Sequence, residues 1–155
     1  MAKKHNTKIS VTFSDTFVTE LFKDGLAKVV ENSDLIFCNE TEAISYTGKK
    51  SAREAFESLC DNAKNVVMTL GNKGSMICWD NIIYSIPPYE VSAIDTTGAG
   101  DSFAGAFLYG IIKTGDPLLS GKLASYISSQ IVSQMGPRPK FDMIAARNKI
   151  INKLN

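Results

Sequence analysis

The residue types best suited to chemistry lie in one run, Asp95-Thr96-Thr97-Gly98-Ala99-Gly100-Asp101-Ser102-Phe103-Ala104-Gly105-Ala106. Small residues lead into one carboxylate, and a helical apolar pattern follows at Phe103, Ala106, Phe107, Gly110 and Ile111. The preceding run, Val91 to Ile94 with Ser92 interposed, reads as a strand, so the glycines are expected at a strand-to-helix junction. Unpaired backbone N–H groups and the positive end of a helix dipole converge at such a place and receive an anion, often a phosphate. Gly98 and Gly100 lack a Cβ, so backbone there approaches a ligand closely. A carboxylate beside an anion pocket repels the anion unless it has a task. The task that fits is to take a proton from a hydroxyl attacking phosphorus. The plainer alternative is a glycine turn with Asp101 as first-turn capping chemistry.

Three further segments offer polar groups after apolar runs. Asn39-Glu40-Thr41-Glu42 follows Asp34-Leu35-Ile36-Phe37-Cys38 and reads locally as a helix start, with Asn39 as cap and the acidic residues favoured by the dipole. Val66 to Leu70 is a buried-type strand ending in Thr69-Leu70-Gly71, and Gly74 lies in the turn before the next strand, where a hairpin needs glycine in any case. Ser133 to Pro139 ends an apolar helix, with Gly136 reading as its C-cap and Pro137 as the stop.

The elements that would hold these residues alternate. Strands are expected at residues 8–13, 34–38, 65–70, 75–79 and 82–86. Helices are expected at 16–31, 40–46, 51–63 and about 99–113, then from Asp116-Pro117 to near Met135, and from Phe141 to Leu154. Such alternation argues for a parallel or mixed sheet covered on both faces, with ligands beyond the carboxyl ends of the strands. Asn39, Thr69 and the Gly98–Asp101 turn all follow strand ends, so one crevice is expected to receive them.

The run from Asp95 to Ala106 closely resembles the second signature of the PfkB family of carbohydrate and nucleoside kinases, also called the ribokinase family. The resemblance implies that Gly98, Ala99 and Gly100 form an anion hole for the transferred phosphate and that Asp101 is the catalytic base. Asn39 and Glu42 resemble the family's N-x-x-E motif, which implies a role in placing Mg2+ and the phosphates of ATP. A carboxylate held near polyphosphate is reasonable through a hard cation, usually with water between them. Thr69 and Gly71 resemble the nucleotide-contacting strand and turn. Gly136 resembles the segment that closes the nucleotide pocket, and with Asp95 and Thr97 it implies a second role at a monovalent cation, K+. Asn39, the phrase Leu108-Tyr109-Gly110 and the ending Gly136-Pro137-Arg138 look most like adenosine-kinase-type members.

The resemblance runs from about Lys8 to the C-terminus and covers only the second half of the family's length. The implied fold is therefore a ribokinase-like, Rossmann-like α/β sheet, mostly parallel, with helices on both faces, lacking the N-terminal half and its lid. The expected function is ATP-dependent phosphoryl transfer to a hydroxyl of a nucleoside or sugar, incomplete in this chain alone. The alternative is a non-catalytic remnant or assembly partner that keeps the fold. A surface left open by the absent half is expected to dimerise or to associate with that half.

Composition sets the outer bounds. At 155 residues, 44% hydrophobic and 21% charged, the chain suits one soluble domain spanning residues 1–155. A net charge of +1 makes no electrostatic case for nucleic acid. No apolar run is long enough to span a membrane, and no secretory signal is legible. Cys38, Cys60 and Cys78 lack C-x-x-C spacing and read as reduced thiols of a cytoplasmic protein. The one histidine, His5, sits near the end of the chain and is not expected to act as base or metal ligand.

Overall fold

Strands β1 (Ser10–Thr12), β2 (Leu35–Asn39), β3 (Asn65–Thr69), β4 (Ser75–Trp79) and β5 (Ile82–Ile86) form one sheet in that order. The computed structural model describes residues 2–151. β1, β2 and β3 are parallel, with Ser10 beside Leu35 and Ile36 beside Val66. β4 and β5 are joined by Asp80 and Asn81, whose φ angles of 48° and 65° make the two-residue turn that matches strand twist in an antiparallel hairpin. The Asn65 side chain anchors this turn by accepting from the Asp80 N–H at 3.0 Å. The sheet is thus mixed and mostly parallel.

The helices are α1 (Thr16–Leu21), α2 (Lys23–Asn32), α3 (Glu40–Thr47), α4 (Ala52–Asn62), α5 (Ala99–Thr114), α6 (Pro117–Val132) and α7 (Met143–Ile151). Cα packing divides the chain into two compact units, residues 1–70 with 76–83 and residues 71–75 with 84–155. The first unit has a core of Phe13, Leu26, Val30, Ile36, Phe56, Leu59 and Met68. Each large apolar side chain buried there contributes about 1.5–3 kcal/mol. Four consecutive buried residues in β2 and again in β3 mark strands covered on both faces. Asp34 fastens the entry to β2, accepting from the Ile9 N–H and from Lys64 Nζ, both at 3.0 Å. Those bonds, chiefly the one from Ile9, hold its carboxyl down at about 2.

The second unit holds α5, α6 and α7. α6 packs against both of its neighbours, and Leu123, Ile127 and Ala146 form a small core. α5 and α6 come together at Gly110, where a Cβ would lie 2.9 Å from the Ser120 Cα.

Three expectations are corrected. The helix expected over 16–31 is two helices, because Phe22, at φ −117° and ψ 28°, ends α1 and starts α2. The strand expected over 8–13 is trimmed: its ladder spans Ser10–Thr12, with backbone bonds to β2 continuing at Ile9 and Phe13. Val91 to Ile94 is not a strand: it has no ladder partner among the described residues, and the N–H groups of Ile94 and Asp95 both bond to the Val132 carbonyl at the end of α6, at 2.7 and 3.2 Å. Residues 152–154 of the last expected helix lie outside the described residues.

Candidate functional site

In the second unit the polar groups gather at the start of α5. Gly98 is the residue before the helix and adopts φ 76°, in the left-handed region that side chains disfavour. A Cβ there would also lie 2.6 Å from the Pro137 Cβ. Two separate facts therefore require glycine at this position.

The Ala99 N–H bonds to the Thr96 carbonyl at 3.1 Å, and the Ser102 N–H to the Gly98 carbonyl at 2.9 Å. Between them, the N–H groups of Gly100 and Asp101 have no acceptor among the described residues. At most other helix starts side chains fill this role: Asp15, Asn39, Ser51 and Asp116 cap α1, α3, α4 and α6, while α2, which follows α1 directly at Phe22, has none. Asp142 accepts from the first-turn amides Ile144 and Ala145 of α7. The start of α5 has no side-chain cap, so its donors and dipole are open to an external anion. A Cβ on Gly100 would meet nothing within 4 Å, which leaves room for a ligand against the backbone. Asp101 is exposed, three positions into the helix, and lines a cavity of about 540 Å3 together with Gly98, Ser102 and Pro137. The Ser128 hydroxyl fixes this turn to α6 by donating to the Ala99 carbonyl at 3.1 Å.

Asp95 organises the loop leading in. One carboxylate oxygen accepts from the Thr97 N–H and the other from the Gly136 N–H, each at 2.9 Å. Hydrogen bonds from the Thr97 side chain and backbone and from Gly136 hold this carboxyl below its ordinary range. Asp95, Thr97 and Gly136 are thus brought together. Gln134, which sequence reading passed over, completes the loop. Its amide donates to the carbonyls of Gly136 and Arg138, and its oxygen accepts from the Lys140 N–H at 3.0 Å. The only local signal for it is an amide side chain two residues before a glycine-proline stop.

In the first unit, Asn39 and Glu42 make a reciprocal cap. The Glu42 N–H donates to the Asn39 side chain at 2.8 Å, and the Glu42 carboxylate accepts from the Asn39 N–H at 3.0 Å and from its side-chain amide at 2.8 Å. The helix-cap geometry is therefore real. Burial raises the Glu42 carboxyl above its usual range. Asn39 pairs in register with Thr69, so the carboxyl ends of β2 and β3 bring these two side by side. In the second unit, Gly71 opens a 3-10 turn, Gly71–Lys73, and a Cβ on Gly74 would collide with the Ile86 carbonyl. That close approach explains Gly74 structurally.

The described residues contain no cluster of three or more His, Cys, Asp or Glu suited to holding a metal by themselves. No described helix is long and apolar enough to cross a membrane.

Comparison with known proteins follows the same line. A family profile described as "pfkB family carbohydrate kinase" matches residues 1–142. The ribokinase of Staphylococcus aureus is 33% identical, matching 86% of this chain and 48% of the relative. The adenosine kinase of Saccharomyces cerevisiae is 28% identical, matching 88% of this chain and 44% of the relative. The crystal structure of adenosine kinase from Sinorhizobium meliloti superposes with a TM-score of 0.89 at 26% identity, covering 96% of this chain and 46% of that one. The chain spans about half the length of the curated relatives it matches.

Proposed function

The chain belongs to the pfkB family of carbohydrate kinases, and from that membership we propose that it supplies the nucleotide side and the catalytic base of an ATP-dependent kinase acting on a hydroxyl of a nucleoside or sugar. The carrying observation is the open start of α5, with two N–H groups lacking acceptors among the described residues and Asp101 at the adjoining cavity. Phosphoryl transfer asks a protein mainly for positioning and charge stabilisation, and this arrangement offers both.

In this reading Gly98, Ala99 and Gly100 form the turn whose amides, Gly100 and Asp101 foremost, receive the oxygens of the terminal phosphoryl. Asp101 accepts the proton of the acceptor hydroxyl as its oxygen bonds to phosphorus and the bond to the ADP leaving group breaks. Thr69 and Gly71 line the nucleotide's phosphates. Mg2+, when bound with ATP, supplies neutralisation of phosphate charge. Asn39 and Glu42 fit a water-mediated role toward it. Each Glu42 oxygen takes part in one hydrogen bond and keeps a lone pair, and the desolvated carboxylate gains from a nearby cation. Asp95, Thr97 and Gly136 are the candidate site for K+. The adenosine-kinase-like reading of the acceptor, and a cytoplasmic setting, belong to the same proposal.

The test is calorimetry and thermal shift with Mg-ATP on the chain as it stands. Heat and a raised melting temperature are expected. No heat and no shift would leave the alternative, a non-catalytic assembly partner that retains the fold.

A further inference from the structure

We infer that Ser128 of α6 is a positioning residue for phosphoryl transfer: its hydroxyl sets the Ala99–Gly100 peptide so that the Gly100 N–H points at the terminal phosphoryl of ATP. The inference rests on the reading of this turn as the phosphate site.

A peptide unit is planar, with its carbonyl and its N–H on opposite edges. The Ala99 carbonyl and the Gly100 N–H are the two ends of one such unit. The carbonyl end is held twice, by the Ser102 hydroxyl at 3.0 Å and by the Ser128 hydroxyl at 3.1 Å. The N–H end has no acceptor among the described residues. In the preceding unit both ends are tied, since the Gly98 carbonyl accepts from the Ser102 N–H and the Ala99 N–H donates to the Thr96 carbonyl. One donor is therefore left facing outward on a plane fixed from behind. A Cβ on Gly100 would meet nothing within 4 Å, so no side-chain packing braces that plane from the ligand's side. Donors to a carbonyl also polarise the whole peptide and strengthen the N–H at its other end. A donor oriented before charge develops is what electrostatic stabilisation of phosphoryl transfer requires.

The behaviour of the other serines in α6 shows that this bond is not the local default. A helical serine ordinarily returns its hydroxyl to a carbonyl about one turn back. Ser120 does so at Asp116, at 2.6 Å, and Ser129 at Tyr126, at 2.7 Å. Ser128 instead reaches 29 residues back along the sequence to the Ala99 carbonyl. Ser125, one turn earlier in α6, also reaches outward, to the Pro87 carbonyl at 3.2 Å. It ties down a different loop and so provides a matched comparison.

The experiment measures Mg-ATP and Mg-ADP affinity by calorimetry on the chain as it stands. Ser128→Ala is expected to weaken Mg-ATP about threefold or more beyond any change in Mg-ADP, because ADP has no phosphoryl to place on the Gly100 N–H. Ser128→Thr keeps the hydroxyl and should restore the parental ratio. Ser125→Ala loses a hydroxyl-to-carbonyl bond from the same helix and should leave the ratio unchanged. Nuclear magnetic resonance without nucleotide reads the peptide directly: the Gly100 amide nitrogen should move upfield in Ser128→Ala and stay in place in Ser125→Ala. A parent chain that binds neither nucleotide would sink the phosphate reading, and this inference with it. With Mg-ATP bound by the parent, three results overturn the inference alone: an unchanged ratio in Ser128→Ala, an unmoved Gly100 resonance, or a threonine variant no better than alanine.

Discussion

Asp95 accepts a hydrogen bond from the backbone N–H of Gly136, 41 residues further along the chain, and so closes the loop in front of α5. The carboxyl is held below its ordinary range, so the folded protein binds its proton less tightly than the unfolded chain does. The contribution is therefore fully present above the ordinary carboxylate pKa and is lost as pH falls through the folded value. Exchange at the Gly136 amide is expected to be slow at neutral pH and to accelerate in acid beyond the intrinsic trend. Asp95→Asn should give fast exchange at every pH. Amide exchange across an acid titration checks both.

The two glycines at the start of α5 separate fold from function. Gly98→Ala meets both a left-handed backbone and Pro137, and is expected to lose about 1–3 kcal/mol of stability in denaturant unfolding. Gly100→Ala meets nothing and should raise stability by up to about 1 kcal/mol. The same Gly100 variant is expected to weaken Mg-ATP binding in calorimetry, because its methyl group enters the space assigned to phosphate. Unchanged ATP affinity would remove the anion role from this turn.

Asp101→Ala is expected to leave the heat of Mg-ATP binding nearly unchanged, since the residue's task lies with the acceptor hydroxyl. In the chain paired with a complementary half, the same variant should lower the transfer rate by about 10²- to 10⁴-fold. Parallel calorimetry and a coupled kinase assay decide the point. Loss of ATP binding on the same scale would make Asp101 a nucleotide-binding residue rather than a base.

Glu42 is raised by burial, so its ionisation opposes folding. Its contribution is most favourable at pH below the unfolded carboxylate value and declines as pH rises through the folded one. Glu42→Gln keeps the capping box and removes that decline. At neutral pH the variant is expected to be at least as stable as the parent, measured by thermal unfolding. It should also lose the Mg2+ dependence of ATP affinity. A variant that is less stable and keeps full Mg2+ dependence would confine Glu42 to its structural bond with Asn39.

Much of this molecule is written in short-range signals. Ser51, Asp116-Pro117 and Asn39 sit where the first-turn amides of a helix need acceptors, and each becomes a cap. The apolar runs at 35–38 and 66–68 bury as strands because nothing polar interrupts them. The positive φ at Gly98 was legible in the same way, because a glycine before an apolar helical pattern supplies the left-handed residue that starts α5.

Long-range partners account for the rest. Val91 to Ile94 has the composition of a strand, but a strand exists only if another strand accepts its hydrogen bonds, and here the Val132 carbonyl takes them instead. Phe22 divides one periodic pattern into two helices, and α1 is drawn toward α3 by the hydrogen bond between the hydroxyls of Thr19 and Ser45, 26 residues apart. Periodicity is blind to such a break because both halves keep the same spacing. Likewise, nothing in the local text around Asp95 or Gln134 shows that both would fasten the Gly136 loop. Local chemistry can be read along a chain, but which donor meets which acceptor across dozens of residues depends on packing, and packing exists only once the chain has folded.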